Sequence, residues 1–336
     1  MALTNKLQSI GDAIRNKTGK TELLTLDEMP VEINNITTGE PIAIPYAPQC
    51  ISFYDFNGDN LDYELANLDT SNMTSIKRMF ARESSNDYKL KRIDISHFNM
   101  SNVTDMTGMF YGRSGLKDVI GLDTIDTSKV TKMSSIFYQA GVDAKYYSNL
   151  NTSNVMYLDS AFASFYGEII DISNWDLSKV TSLSSFAVRA YSKEIYFGNT
   201  TLSNTTSATY MFAFNTTVTT IDLGGVYAPK MDALRDSFTG DTNLTDLIFL
   251  NEYGKGFTKI KQNNYSNACF SLADCNKLTY ESLMDVINKL YDLNLTYDVA
   301  NGGTLYTQKL TLGSTNLAKL TAEEIAIATN KGWTVS

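Results

Sequence analysis

Histidine is nearly missing from this sequence: His97 is the only one in 336 residues. One imidazole weakens most hydrolase and zinc readings, since Ser-His-Asp, Cys-His and His-rich metal sets all draw on it. His97 follows Ile93 and Ile95 in an alternating run, beside Phe98, and reads as a strand histidine filling a gap. Cysteine is scarce too. Cys50, Cys269 and Cys275 are an odd number at no metal spacing, so they read as reduced, Cys269 buried and Cys50 exposed. No run approaches the ~18 apolar residues of a membrane span. Basic clusters are absent, and 28 basic against 37 acidic residues give a net charge of −9. That balance argues against nucleic acid and anionic membranes, and disfavours polyanions unless a local patch reverses the sign. There is no Gly-x-x-x-x-Gly-Lys or Gly-x-Gly-x-x-Gly run to cradle a phosphate. Asp55-Phe-Asn57-Gly-Asp59 resembles a calcium loop but has Asn60 at its sixth position and Ala66 at its twelfth. A hairpin turn at Asn57-Gly58 is the simpler prediction. No cofactor or metal is therefore expected.

What the chain has instead is a repeat. A thirteen-residue pattern appears as Leu68–Phe80, Phe98–Phe110 and Ile125–Phe137, with looser copies at Leu150–Phe162 and Trp175–Ala187, and others ending at Phe212 and Phe238. A near-constant period of ~25–30 residues predicts a solenoid, in which each unit buries its apolar face against its neighbours. Val130, Met133, Ile136 and Phe137 are spaced as one face of about two helical turns, and Val103–Phe110 and Val155–Phe162 repeat the spacing. Ser and Thr ahead of each run read as helix starts. Ile93/Ile95, Ile170/Ile172 and Ile221/Leu223 alternate with polar residues as strands do. Each unit is thus predicted to be a short parallel strand, a turn and a short helix, an α/β solenoid.

The wording Asp-Thr-Ser-Asn-Val-Thr-x-Met-x-x-Met-Phe resembles the BspA-type leucine-rich repeat surface proteins of bacteria and their phages, over about Ile51 to Cys275. The Gly-Cys that often follows the Phe in that family is not present, so Cys ladders are not expected. Residues 1–36 differ in kind. Leu3, Leu7, Ile10 and Ile14 form one narrow helical stripe, Thr25-x-x-Glu28 is a capping-box pattern, and Pro30 follows. Two short helices with so few apolar residues are expected to dock on a partner or self-associate. The run Leu3-Thr-Asn-Lys-Leu7 through Ile10-Gly-Asp-Ala-Ile14, with Lys17-Thr-Gly19, resembles the opening of tail proteins of phages and prophages of Gram-positive bacteria. The alternative is a plain N-terminal cap. Residues 37–49, with prolines 41, 45 and 48, read as a stiff linker, and 50–276 as the repeats. Residues 277–336 read as a closing module: a helix through Leu283, Val286, Ile287 and Leu290 after Thr279, a strand over 305–312 stopping at Gly313, a capping box at Thr321-x-x-Glu324, and a last strand at Trp333 to Val335.

Asp69, Asp126, Asp171, Asp176 and Asp222 recur at repeat positions, which points to turn formation rather than to a unique acid–base pair. Twenty tyrosines are the remaining feature. Tyr111 and Tyr138 directly follow a repeat Phe, Tyr166 lies four beyond Phe162, and Tyr146, Tyr147 and Tyr191 sit further along such loops. They are the candidate surface-binding residues, suited to sugars and to protein contacts; packing over neighbouring turns is the competing reading. With the resemblance, this implies a non-enzymatic structural protein of a phage tail or baseplate. Residues 1–36 would hold it in the virion, and the repeats would contact carbohydrate or protein of the host surface. The start of the sequence carries no export signal, which fits assembly in the host cytoplasm and release by lysis. A bacterial surface adhesin is the alternative, and a carboxylate-based glycosidase a further one.

Overall fold

The computed structural model describes residues 52–336 except 62–64, 67, 84–87, 232–233, 256–269 and 296–307. The readings made of residues 1–36 and 37–49, Cys50 and Cys269 lie outside these. The described residues fall in one compact unit, Ala47–Ser336.

Period-two patterning is realised as three-residue parallel strands. β1 (Arg92–Asp94) pairs with β2 (Asp118–Ile120). β3 (Ile169–Asp171), β4 (Glu194–Tyr196), β5 (Thr220–Asp222) and β6 (Asp246–Ile248) form one sheet in that order. The central residue of each strand points inward: Ile93, Val119, Ile170, Ile195 and Ile221 are fully buried and Leu247 nearly so. Between β2 and β3 a 3-10 turn, Ala144–Tyr146, takes the place of a strand. The α/β repeat character of the prediction is thus present, with parallel strands in register from copy to copy.

The helices predicted within the repeats do not form, and this corrects the sequence reading. Val130–Phe137 is a chain of tight turns. Ile136, Tyr138 and Ala140 donate their N–H groups to Met133, Ser135 and Phe137, three residues back. The alternate residues Met133, Ser135, Phe137 and Gln139 donate instead to Tyr157, Asp159, Ala161 and Ala163 of the next copy, at 2.9–3.0 Å. Ser135 and Gln139 hold positive φ (55° and 52°), which no right-handed helix contains. Apolar residues three and four apart suit either geometry, but only the turns let half of the N–H groups tie one copy to the next. The same arrangement recurs at Ser160, Ser164, Ser185, Arg189, Tyr210 and Phe214, all with positive φ. At the equivalent Gly112 (φ 75°) an added Cβ would lie 1.8 Å from Arg82 O, so glycine is required there.

The Ser and Thr groups read as helix caps bond between copies as well. Thr127 Oγ1 donates to Asn151 O and Thr152 Oγ1 to Asp176 O, each at 3.0 Å. The recurring aspartates act as predicted. Asp69, Asp126, Asp171 and Asp176 accept the N–H of Ser71, Ser128, Ser173 and Ser178, and Asp222 that of Gly224, at 2.8–3.0 Å. These bonds favour the charged form and hold the Asp69 and Asp126 carboxyls below their ordinary pKa.

Phenylalanine fills the space between turns and strands. Ring centroids of Phe53, Phe80, Phe110, Phe137 and Phe162 follow one another at 5.1–5.9 Å. At the irregular copy, where Ala187 occupies the Phe position, Phe186 and Phe197 carry the column across to Phe212, Phe238 and Phe270. Each such ring contributes about 2 kcal/mol by leaving water. Arg113 is fully buried under the first copies, donating to the carbonyls of Phe80, Phe56 (2.8 Å) and Phe53 (3.4 Å).

Two local readings change. Asn57-Gly58 makes no hairpin among the described residues. Phe53 and Asp55 donate to Met79 and Ala81 in the manner of a repeat copy, and Gly58 lies at a bend. His97 is an exposed turn residue rather than a strand filler, with Nε2 at 2.6 Å from Leu65 O and its ring edge-on to Phe98.

Past the repeats, local capping chemistry is realised as read. α1 (Tyr280–Lys289) starts at Thr279, whose side chain accepts from Ser282 N. β7 (Phe270–Ser271), β8 (Gln308–Thr311) and β9 (Trp333–Val335) form a parallel sheet. Gly313 (φ 75°) ends β8 and opens α2 (Gly313–Leu317). α3 (Ala322–Asn330) has the full Thr321/Glu324 capping box. No helix among the described residues is long and apolar enough to cross a membrane.

Candidate binding surface

The tight turns alternate inward and outward residues, so equivalent positions of successive copies line up on one side. Tyr111 and Tyr138 each follow the repeat Phe by one residue. Their rings stack face to face, centroids 4.6 Å apart and 3° from parallel. Tyr166 and Tyr191 each follow the repeat position by four. They stack in the same way at 4.7 Å and 9°. Stacking at this distance covers the two inner ring faces; Tyr111, Tyr138 and Tyr166 are partly exposed and Tyr191 is exposed. Partial burial raises the Tyr111 and Tyr166 pKa, with the stacked partner adding to it, so both hydroxyls stay protonated donors at neutral pH.

The first stack continues through residues that the sequence reading missed. The Arg78 guanidinium lies 4.8 Å from the Tyr111 ring centroid and 5.4 Å from that of Tyr54, a cation between two rings. Arg78 pairs with Glu83, which also accepts from Tyr54 Oη at 2.9 Å. Gly108 makes room: its missing Cβ would sit 3.2 Å from Arg78 Cγ. Aligning the copies would have placed Arg78 two residues before the repeat Phe, on the outward side, but sequence alone does not indicate which turn positions share that side.

The other two candidates lie elsewhere. Tyr146 donates to Asp118 Oδ1 at 2.9 Å beside β2, with Lys145 4.7 Å from its ring centroid. Burial and then the Asp118 bond raise its pKa. Tyr147 is fully buried and is not a surface residue, which corrects its candidacy. It packs against Phe137, Phe162 and Trp175, donates to Ile169 O at 2.9 Å, and has its pKa pushed far up by burial. It fills the gap that the missing strand leaves between β2 and β3.

A second group of exposed rings follows on the neighbouring copies. Tyr191 is 52% exposed, Phe214 41% and Tyr210 38%. The Arg189 guanidinium lies 5.5 Å from the Phe214 centroid. This surface is aromatic, with hydroxyl and guanidinium donors.

The chain belongs to the family described as "Mycoplasma protein of unknown function, DUF285", which matches residues 53–121 and 116–222, half of the chain. That membership is consistent with the resemblance to BspA-type repeat surface proteins. No curated protein and no solved structure matches the chain.

Proposed function

We propose that this is a non-enzymatic binding protein of a phage or prophage tail or baseplate. Its copies stack as a solenoid, and its outward turns contact carbohydrate or protein on the host cell. The observation that carries the binding part is the stacked, partly exposed tyrosine pairs on adjacent copies, Tyr111/Tyr138 and Tyr166/Tyr191. Rigid aromatic groups lose little entropy on binding and are favoured where contacts must hold. The recurring aspartates support a non-catalytic role, because each is used in a turn. Placement in the virion, and attachment or self-association through residues 1–36, rest on the tail-like wording of that segment.

Gold-labelled antibodies on lysates and on intact cells of the producing strain test the placement. Label at the tail tip is the expected result. Label on uninfected cells, with none on particles, would replace this reading with a BspA-type surface adhesin.

A further inference from the structure

Most exposed cations near these turns are already engaged. Arg78 pairs with Glu83, Arg235 with Asp236 at 3.1 Å and Lys193 with Glu168 at 2.8 Å. Arg82 donates to Phe56 O and Asn57 Oδ1. Arg189 differs. It is exposed, it is seated over the Phe214 ring, and it has no carboxylate partner among the described residues. Phe214 is itself seated over Gly240, whose Cβ, if present, would come within 2.9 Å of the ring. Two residues on from Arg189, Tyr191 has one face against Tyr166. The next copy carries Thr216 at the equivalent position, and among the described residues Tyr166 alone stacks on Tyr191.

We propose that Arg189, Phe214 and Tyr191 form a binding point for a carboxylate-bearing sugar ring. The guanidinium offers a planar fork of donors that matches a carboxylate, and the ring beneath it fixes that plane. The open Tyr191 face takes the C–H surface of a pyranose. A carboxylate on a peptide side chain would use the fork and leave that face empty. With Lys193 and Arg235 neutralised by their own partners, Arg189 supplies the local reversal of sign that an acidic ligand needs on a chain of net charge −9. This assignment rests on the receptor-binding reading above and specifies the ligand of that surface.

The test is calorimetry of the full chain with a uronic-acid oligosaccharide and with the same oligosaccharide after its carboxyls are reduced to alcohols. Binding of host cells by the same preparation is measured in parallel. The acidic form is expected to bind at least tenfold tighter than the reduced form. Arg189→Lys, which keeps the charge but loses the fork, is expected to remove most of that difference. Tyr191→Ala is expected to weaken both probes. Equal binding of the two forms, an unchanged preference in Arg189→Lys, or no binding of either overturns the proposal. Cells bound without any oligosaccharide binding would sink this assignment alone. Cells not bound by the unaltered chain would sink the receptor-binding reading.

Discussion

Phe249 donates its backbone N–H to Asp285 Oδ2 at 2.7 Å, so a helix side chain stands where the carbonyl of a further strand would stand. Ser282 Oγ accepts from Leu247 N at 2.9 Å, and Lys289 Nζ donates to Phe249 O at 2.9 Å. Ser282, Asp285 and Lys289 are spaced three and four apart on α1, so one helix face meets the last repeat strand. An unpaired strand edge invites pairing with another chain, and here α1 occupies it.

Asp285→Ala should therefore destabilise the protein by about 1–3 kcal/mol, because it leaves the Phe249 N–H unpaired and Lys289 without its ion pair. Urea unfolding would show a lower midpoint. An unchanged midpoint would mean that solvent satisfies the edge equally well.

Arg113→Met should cost about 1–3 kcal/mol. It keeps most of the volume but leaves the Phe80 carbonyl without its donor, while Phe56 O keeps Arg82 and Phe53 O keeps the Phe56 N–H. The loss would appear in urea midpoints. It would also appear as faster amide exchange in the first copies, while α1 and α3 keep their protection.

Asp241 gives a pH dependence. Its Oδ1 accepts the Asn215 N–H at 2.8 Å, while its Oδ2 and the Asn215 Oδ1 are buried without a partner. Burial pushes the carboxyl up to about 8, opposed by the Asn215 bond and reinforced by Asp274. Asp274 accepts from Gly240 N, and Cys275, whose thiol burial also pushes up, donates to Phe238 O. Between the unfolded value near 4 and the folded value near 8, the folded chain holds a proton that the unfolded chain releases. The contribution of this group is thus complete at low pH and lost as pH rises toward 8. Asp241→Asn should flatten that fall when urea midpoints are compared between pH 5 and pH 9. An identical slope in the variant would show that Asp241 is already ionised.

The Tyr111/Tyr138 pair should couple by about 0.5–1.5 kcal/mol in a double-mutant cycle of stability, the range for stacked rings. Tyr138→Ala should also reduce binding to host cells, through the lost contact and a freer Tyr111. Undiminished cell binding would remove this pair from the binding surface.

The strands were legible in the sequence because Ile93, Ile170 and Ile221 alternate with polar residues, a pattern that few other structures share. The terminal helices were legible because Thr279, Thr321 and Glu324 act on their own backbone, within a few residues. The turn segments were misread because their burial pattern, Met133, Ile136, Phe137 and Ala140, is also that of a helix face. The feature that separates the two geometries is left-handed backbone at Ser135 and Gln139, and neither residue type announces it as glycine does at Gly108 and Gly112. Of the candidate surface, the neighbours Tyr111/Tyr138 and Tyr166/Tyr191 follow from aligning the copies. Burial of Tyr147 does not, because it depends on a strand missing from the repeat next to it. Nor do Arg78 and Arg189, whose roles come from rings on adjacent copies.

The turns of each copy give N–H groups forward and receive them on their carbonyls: Arg78 and Phe80 to Thr107 and Met109, Gly108 and Phe110 to Ser134 and Ile136, Ser135 and Phe137 to Asp159 and Ala161. These three junctions thus have the same backbone plug and socket. A gene that gained or lost one of these copies would present the new neighbour with turn groups it already fits. Recombination between copies can therefore change the reach of such a protein, and the number of aromatic contacts along it, without devising a new junction. The copy that carries β6 differs, since it must fit Ser282, Asp285 and Lys289.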